Sequence, residues 1–134
     1  MKTKTIKQAV EFAGVRPQQV YDALMTSKGH SDATGGAAKI TAKPGGKFSA
    51  WDGYIFGENV ELVKGKKIVQ KWRTTEWPAG ADDSILEIVL SATPKGAKLA
   101  MTHKNVPAEQ AASYAQGWKD FYWKPLKEYF ARNK

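Results

Sequence analysis

The 134-residue sequence contains no cysteine and only two histidines, His30 and His103. Without cysteine, a disulfide framework, a thiolate metal site and a cysteine nucleophile are excluded. The two histidines form no His-x-x-x-His pair and accompany no carboxylate cluster, so the sequence offers no metal-ligand spacing. No serine, histidine and acid can be grouped as a catalytic triad either. We therefore expect no cofactor, no metal and no catalytic residue.

Long apolar runs are also missing. No stretch approaches the roughly 18 apolar residues of a membrane span, and residues 1–12 lack the apolar core of a signal peptide. The absence of cysteine fits a reducing compartment. We therefore expect a cytoplasmic protein without a membrane span.

Charge is unbalanced towards the basic side, with a formal net charge of +8. Such an excess attracts nucleic acids or acidic proteins. The basic residues are scattered along the chain, however, and no helix-turn-helix, zinc finger or aromatic RNA-binding signature accompanies them. We expect no nucleic-acid binding, and we favour a solvated basic surface or attraction to an acidic protein partner.

Length and composition are those of one folded domain. The hydrophobic share is 42% and the charged share 25%, as in ordinary soluble proteins. A chain of this size buries about two-thirds of its unfolded surface around one core. We expect residues 1–134 to form a single domain.

A stripe of large apolar side chains near the end of the sequence predicts one long helix over residues 107–130. Pro107 suits the first helical position, whereas Pro125 removes a hydrogen bond inside the helix and should bend its axis. The stripe recurs at helical spacing and consists of Tyr114, Trp118, Phe121, Tyr122, Leu126, Tyr129 and Phe130. A face this bulky requires a broad apolar partner.

Strand-like runs separated by turns supply that partner. Residues 3–12 predict a first strand at a sheet edge, followed by a helix over 17–25 and a polar crossing segment with room for a second short helix. Six further strand-like runs cover residues 39–43, 47–51, 54–63, 67–76, 83–93 and 97–104. Their tight turns indicate an antiparallel meander. The order predicts an α+β fold in which a curved sheet of six or seven strands wraps around the C-terminal helix.

Alternation along the strands selects the side chains that face this helix. On three strands the selected residues are Ile68, Gln70, Trp72, Leu86, Ile88, Leu90, Leu99, Met101 and His103. Gln70 and His103 are polar, and polar groups in an apolar interior need partners or border a wet cavity. A binding pocket between the sheet and the helix is therefore an alternative hypothesis to simple core packing.

Short motifs occur in a fixed order along the chain. They are Gly45-Gly46-Lys47-Phe48, Asp52-Gly53, Gly57, Glu61-Leu62-Val63, Ile68-Val69, Lys71-Trp72-Arg73, Trp77-Pro78 with Gly80, Val106-Pro107, Gly117-Trp118, Tyr122, Pro125-Leu126-Lys127 and Tyr129-Phe130. The series resembles the family of activators of the heat-shock-protein-90 ATPase. The resemblance covers essentially the whole chain, and it implies the START-like (SRPBCC, Bet v-like) helix-grip fold, with a cavity between the sheet and the C-terminal helix.

The same resemblance implies a function by association. In the eukaryotic co-chaperones this module is the C-terminal half of a two-domain protein, while other branches of the superfamily bind lipids, sterols or polyketide-like aromatics. We therefore expect a non-enzymatic binding domain that acts through a protein partner, such as a heat-shock-protein-90-type chaperone, or through a small hydrophobic ligand in the cavity. A cyclase-like or hydrolase-like enzyme is the remaining alternative and rests on superfamily analogy alone.

The ligand hypothesis requires an unfilled space, typically of about 300 Å³ or more. The residues expected around it are Trp72, Leu86, Ile88, Met101, His103, Trp118, Phe121 and Tyr122. His103 is the single candidate for proton transfer. If it points inward and the Tyr122 phenol is its neighbour, it could bind or orient a polar group of a ligand. The alternative is a core histidine hydrogen-bonded to a neighbour.

The five tryptophans offer two roles. Trp72 and Trp118 are predicted inside, where they line or fill a cavity. Exposure of Trp51, Trp77 or Trp123 would instead indicate a partner surface.

Overall fold

The computed structural model describes residues 2–132 of the chain. Seven strands form its sheet: β1 (Thr3–Ala13), β2 (Lys39–Ile40), β3 (Lys47–Ala50), β4 (Ile55–Val63), β5 (Lys67–Thr74), β6 (Ser84–Ala92) and β7 (Gly96–Pro107). Four α-helices accompany them: α1 (Pro17–Met25), α2 (Ser27–Thr34), α3 (Ala108–Trp118) and α4 (Lys124–Arg132). A π-helical turn, Lys119–Trp123, joins α3 to α4. The predicted α+β helix-grip architecture is confirmed.

The sheet is antiparallel throughout, in the order β1-β7-β6-β5-β4-β3-β2. Each strand from β2 to β6 pairs with the next one along the chain, as expected where tight turns join consecutive strands. β1 is an edge strand, as predicted, and pairs with β7. The sheet curves around the C-terminal helical segment.

Helices α1 and α2 are the two short helices expected after the first strand. The Thr26 hydroxyl accepts a hydrogen bond from the Gly29 backbone N–H at 3.0 Å and so caps the start of α2. Gly35 has a left-handed backbone, with φ of 86°, and ends the helix. Only His30 and Ala33 of α2 are buried, which explains why its apolar periodicity is weak.

The C-terminal helical segment runs without a break from Ala108 to Arg132 but is not α-helical throughout, because a π turn inserts one extra residue before Pro125. The Lys124 backbone N–H donates to the Lys119 carbonyl, five residues back. Trp118 and Trp123 are also five residues apart, and their rings stack with centroids 5.3 Å apart and an interplanar angle of 16°. The insertion therefore turns Trp123 into the core, whereas Phe121 is 54% exposed.

Strand alternation correctly predicts the inner face of the sheet. The buried residues of β5, β6 and β7 include Ile68, Gln70, Trp72, Leu86, Ile88, Leu90, Leu99, Met101 and His103. Gln70 donates from Nε2 to Asn59 Oδ1 at 3.0 Å, so this buried amide has a partner. Trp118, Tyr122, Leu126 and Phe130 of the C-terminal segment are buried, as the stripe predicts, and Trp118 packs on Trp72 and His103 of this face.

Two general features of the described residues bear on function. None of the helices within residues 2–132 combines the length and apolar character needed to cross a membrane. The same residues contain no group of three or more histidine, cysteine, aspartate or glutamate side chains placed to hold a metal ion.

Candidate functional site

A cavity of about 240 Å³ opens between the C-terminal helical segment and the β3–β5 part of the sheet. We call it the aromatic cleft. Its lining residues are Trp51, Tyr54, Ile55, Trp72, Ser113, Tyr114, Gly117, Trp118, Phe121 and Tyr122. The cleft is open to solvent on one side, where Phe121 is largely exposed.

The helical side of the cleft follows from residue spacing. Tyr114, Gly117 and Trp118 are three and four residues apart, so they share one face of α3. The π turn then adds Phe121 and Tyr122. Trp118 and Tyr122 pack with centroids 4.7 Å apart, which makes one continuous aromatic surface.

Trp51 reaches the cleft from the turn between β3 and β4. Its backbone is left-handed, with φ of 54°, which is uncommon for a bulky residue. Its ring packs edge-to-face on Phe121 with centroids 5.6 Å apart. A Cβ atom at Gly36 would lie 2.5 Å from the Trp51 ring, so this position of Trp51 requires glycine at residue 36.

One end of the cleft is polar. The Tyr114 phenol donates to Gln110 Oε1 at 2.9 Å, and its oxygen lies 2.7 Å from the Thr74 hydroxyl. Burial raises the pKa of Tyr114 to about 12, with smaller contributions from Tyr54 and then from the Glu76 carboxylate. Burial also raises the pKa of Tyr54, with a further contribution from Glu76. Both phenols are therefore neutral hydrogen-bonding groups at ordinary pH.

A second, smaller cavity of about 30 Å³ lies deeper, and it shares Ile55, Trp72, Trp118 and Tyr122 with the aromatic cleft. Its other lining residues are Leu24, Met25, His30, Ile40, Phe48, Ser49, Ala50, Ile68, Gln70, Leu86 and Ile88. This volume corresponds to about one water molecule. The space between β6 and the helix is therefore almost filled by side chains.

His30 is a buried member of this inner cavity. Its Nε2 lies 3.1 Å from the Tyr122 hydroxyl, and its Nδ1 has no hydrogen-bond partner among the described residues. Burial lowers the pKa of His30 to about 4. The ring is therefore neutral at pH 7, because protonation would place an uncompensated charge in the interior.

His103 is fully buried and occupies the core under Trp118. The Trp118 indole donates from Nε1 to His103 Nδ1 at 3.2 Å, so Nδ1 is the acceptor and Nε2 carries the proton. Nε2 then faces the Ser84 hydroxyl at 2.8 Å. Burial lowers the pKa of His103 to about 3, and both ring nitrogens have protein partners.

The structure does not place Tyr122 beside His103, as a role in proton transfer requires. Tyr122 hydrogen-bonds His30 instead. His103 lines neither cavity, and its contacts are those of a hydrogen-bonded core histidine.

The residues expected around a ligand therefore separate into three groups. Trp72, Trp118, Phe121 and Tyr122 line the aromatic cleft. Leu86 and Ile88 line only the small inner cavity, and Met101 and His103 line neither.

Sequence reasoning missed several cleft residues, chiefly Trp51, Tyr54 and Gly117. Gly117 precedes Trp118 on the predicted helix, so its position beside the stripe was available as a signal. Trp51 and Tyr54 flank the predicted hairpin turn, but nothing local indicates that this turn reaches the C-terminal helix. Trp77 and Trp123 are buried and Trp51 is half-buried, so these three tryptophans do not form an exposed surface.

Comparison with known proteins identifies the family. The profile described as "Activator of Hsp90 ATPase homolog 1-like protein" matches residues 15–131. The chain belongs to this family. It is 33% identical over 116 residues to the human "Activator of 90 kDa heat shock protein ATPase homolog 1". That alignment covers 85% of this chain and 33% of the human protein.

Other members of the Hsp90-activator family match this chain at similar identity and over a similar share of its length. The Dictyostelium discoideum homologue is 30% identical over 118 residues, which cover 87% of this chain and 30% of that protein. The chain thus spans about a third of the length of these curated relatives. A crystal structure of an HSP90 activator from Plasmodium falciparum superposes with a TM-score of 0.82 at 25% identity, covering 98% of this chain and 97% of that one.

Proposed function

We propose that this member of the Hsp90-activator family is a non-enzymatic, cytoplasmic binding domain whose aromatic cleft holds a small, mainly apolar molecule. The observation that carries the proposal is an open cavity of about 240 Å³ against the C-terminal helical segment. This volume is below the roughly 300 Å³ expected from the sequence, so it suits only a compact ligand. Apolar walls with a few polar groups at one end are typical of small-molecule sites.

Gly117 supports a cleft that is kept open. Glycine inside a helix is about 1 kcal/mol less favourable than alanine. No neighbouring atom lies so close that residue 117 must be glycine, because a Cβ atom there would meet only Phe121 Cδ2, at an ordinary contact distance of 3.8 Å. A larger side chain there would project into the aromatic cleft, so the unfavourable glycine is explained by the space that it leaves.

The groups in the cleft favour binding over bond-making chemistry. Its hydrogen-bonding side chains are the phenols of Tyr54, Tyr114 and Tyr122 and the hydroxyl of Ser113, besides the indoles. Burial raises the pKa of each of these phenols, so none is a ready proton donor or nucleophile near neutral pH.

Filling the cleft is expected to abolish binding without unfolding the protein. With prodan, an uncharged naphthalene dye, we expect a blue shift of emission on binding to the wild type. Gly117→Leu should weaken that binding about tenfold or more, because leucine occupies the space between Trp118 and Phe121. It should not lower the free energy of unfolding measured with urea, because leucine is a better helix former than glycine.

The matched control is Ala112→Leu, which adds a leucine to an exposed position of the same helix. It should bind prodan as the wild type does. No blue shift with the wild type, or equal affinity for Gly117→Leu and the wild type, would contradict the proposal.

Association with a 90 kDa heat-shock-type chaperone is a second candidate. Two observations favour it: the names of the relatives, and the net charge of +8, which steers association with acidic surfaces. Because such steering is screened by salt, we expect immobilised protein to retain the chaperone of its own host at low ionic strength and to release it at about 0.5 M salt. Failure to retain the chaperone at low salt would remove this candidate.

A further inference from the structure

We propose that the aromatic cleft selects a cationic ligand, a substituted ammonium ion with a compact apolar body, over neutral and anionic molecules of the same shape. The inference rests on the proposed binding function of the cleft and adds the chemical class of its ligand. Three features of the described residues support it: the aromatic walls, the absence of cationic side chains from the lining, and the Glu76 carboxylate next to Tyr54.

The walls offer π-systems in unusual number. Seven of the ten lining residues are aromatic, and three of these are tryptophans. The surface is continuous: Trp72 packs on Trp118 with centroids 5.8 Å apart, and Trp51 packs on Phe121 across the mouth. The negative faces of such rings attract a cation within about 6 Å, and tryptophan attracts it most strongly.

The charges around the cleft disfavour anions. Among the described residues that line it, none is a lysine, an arginine or a histidine. A carboxylate or phosphate ligand would therefore lose its hydration without gaining a cationic partner, which is costly. This lining contrasts with the rest of a protein that carries eight more basic than acidic residues.

The Glu76 side chain is exposed and does not line the cleft, but its carboxylate interacts with the Tyr54 phenol, which does. The backbone N–H of Glu76 donates to the Thr74 hydroxyl at 3.2 Å, and that hydroxyl in turn contacts Tyr114. Gln110 fixes the same segment by donating to the Glu76 carbonyl at 2.9 Å. Burial is the main cause of the raised pKa of Tyr54, and the neighbouring Glu76 carboxylate adds to it; for Tyr114 burial and Tyr54 contribute more than Glu76.

The net positive charge of the protein opposes a cation only weakly at this position. Exposed charges more than about 8 Å away are largely screened at physiological ionic strength. The groups in contact with the ligand, which are aromatic faces and neutral phenols beside Glu76, therefore decide its charge.

The test compares three probes that share a benzyl body. They are benzyltrimethylammonium as the cation, benzyldimethylcarbinol as the neutral molecule with a head of similar size, and phenylacetate as the anion. Affinities are measured by quenching of tryptophan fluorescence at about 0.15 M salt. We expect the cation to bind at least about fivefold more tightly than the carbinol, and phenylacetate to bind least.

Two variants locate the source of the preference. Glu76→Gln should weaken binding of the cation about threefold and leave binding of the carbinol unchanged, because the substitution removes the charge of an exposed side chain. Glu11→Gln, at an exposed position of the edge strand β1, makes the same change in net charge and should not alter the affinity for either probe. Equal effects of the two substitutions would overturn the role of Glu76.

The outcomes separate this inference from the proposed function. If the carbinol binds as tightly as the cation, or more tightly, the cleft is a binding site and the selection of a cation is wrong. If phenylacetate binds most tightly of the three, the proposed selection of a cation is also wrong. If none of the three probes quenches the fluorescence while prodan still binds, the selection of a cation is wrong and the proposed function stands. If prodan also fails to bind, neither stands.

Discussion

Replacing Trp118 with alanine is expected to lower the free energy of unfolding by about 3–5 kcal/mol, as for other buried aromatic residues cut to alanine. Trp118 is 5% exposed and its ring packs against Trp72, Tyr122 and Trp123. The substitution also removes the indole N–H that donates to His103 Nδ1, which leaves a buried nitrogen without a partner. Urea unfolding at pH 7 measures the loss.

Two variants separate the contributions to this effect. Trp118→Phe keeps most of the packing but not the hydrogen bond, so we expect a loss of about 1–3 kcal/mol. Phe121→Ala makes a comparable truncation one turn later at a residue that is 54% exposed, and it should cost less than about 1 kcal/mol. If Trp118→Ala were no more destabilising than Phe121→Ala, the central position of Trp118 in the core would be wrong.

Mild acid is expected to destabilise the protein strongly because of its two buried histidines. Burial lowers the pKa of His30 to about 4 and that of His103 to about 3, below the ordinary value of 6.5. Below pH 6.5 the unfolded state therefore binds more protons than the folded state. The contribution of the two neutral histidines to the free energy of unfolding is fully present above pH 6.5. It is lost as the pH falls towards the pKa values of the folded state, by about 1.4 kcal/mol per pH unit for each histidine.

Between pH 7 and pH 5 the two histidines together should lower the free energy of unfolding by about 4 kcal/mol. The measurement is a series of urea unfolding curves at constant ionic strength. His30→Gln should halve this pH dependence whatever its effect on stability at pH 7, since only His103 then titrates in this range. A change of less than about 1 kcal/mol in the wild type would contradict the neutral, buried state of both rings.

Much of the fold follows from two periodicities in the sequence. Alternation in β7 places Leu99, Met101 and His103 on the inner face, and they are buried there. Helical spacing places Trp118 and Tyr122 against that face, which the structure confirms. These features are predictable because burial of a whole strand face or helix face leaves a repeated signature.

The π turn has no such signature. One inserted residue between α3 and α4 changes which side chains face the core, and it buries Trp123 while leaving Phe121 at the surface. Stacking of Trp118 on Trp123 is a consequence of the five-residue turn that no α-helical pattern can predict. Spacing rules assume regular geometry, so they fail where the geometry changes.

The position of the cleft was predictable only in part. Side chains such as Leu86, Ile88 and Met101 fill the space that the sequence suggested as a cavity, because they lie deep between the sheet and the helices. The open space is displaced towards Trp51 and the β3–β4 turn. Whether a predicted inner face is filled or hollow depends on side-chain volumes from distant segments, and alternation carries no information about them.

Native mass spectrometry of the protein purified from its own host tests the binding role of the aromatic cleft most directly. The wild type should carry a reproducible extra mass of a small molecule, released on denaturation. Gly117→Leu, expressed and purified in the same way, should lose that mass while keeping its folded charge-state distribution. Identical spectra for the two proteins, with no bound mass or with the same bound mass, would contradict binding in the cleft.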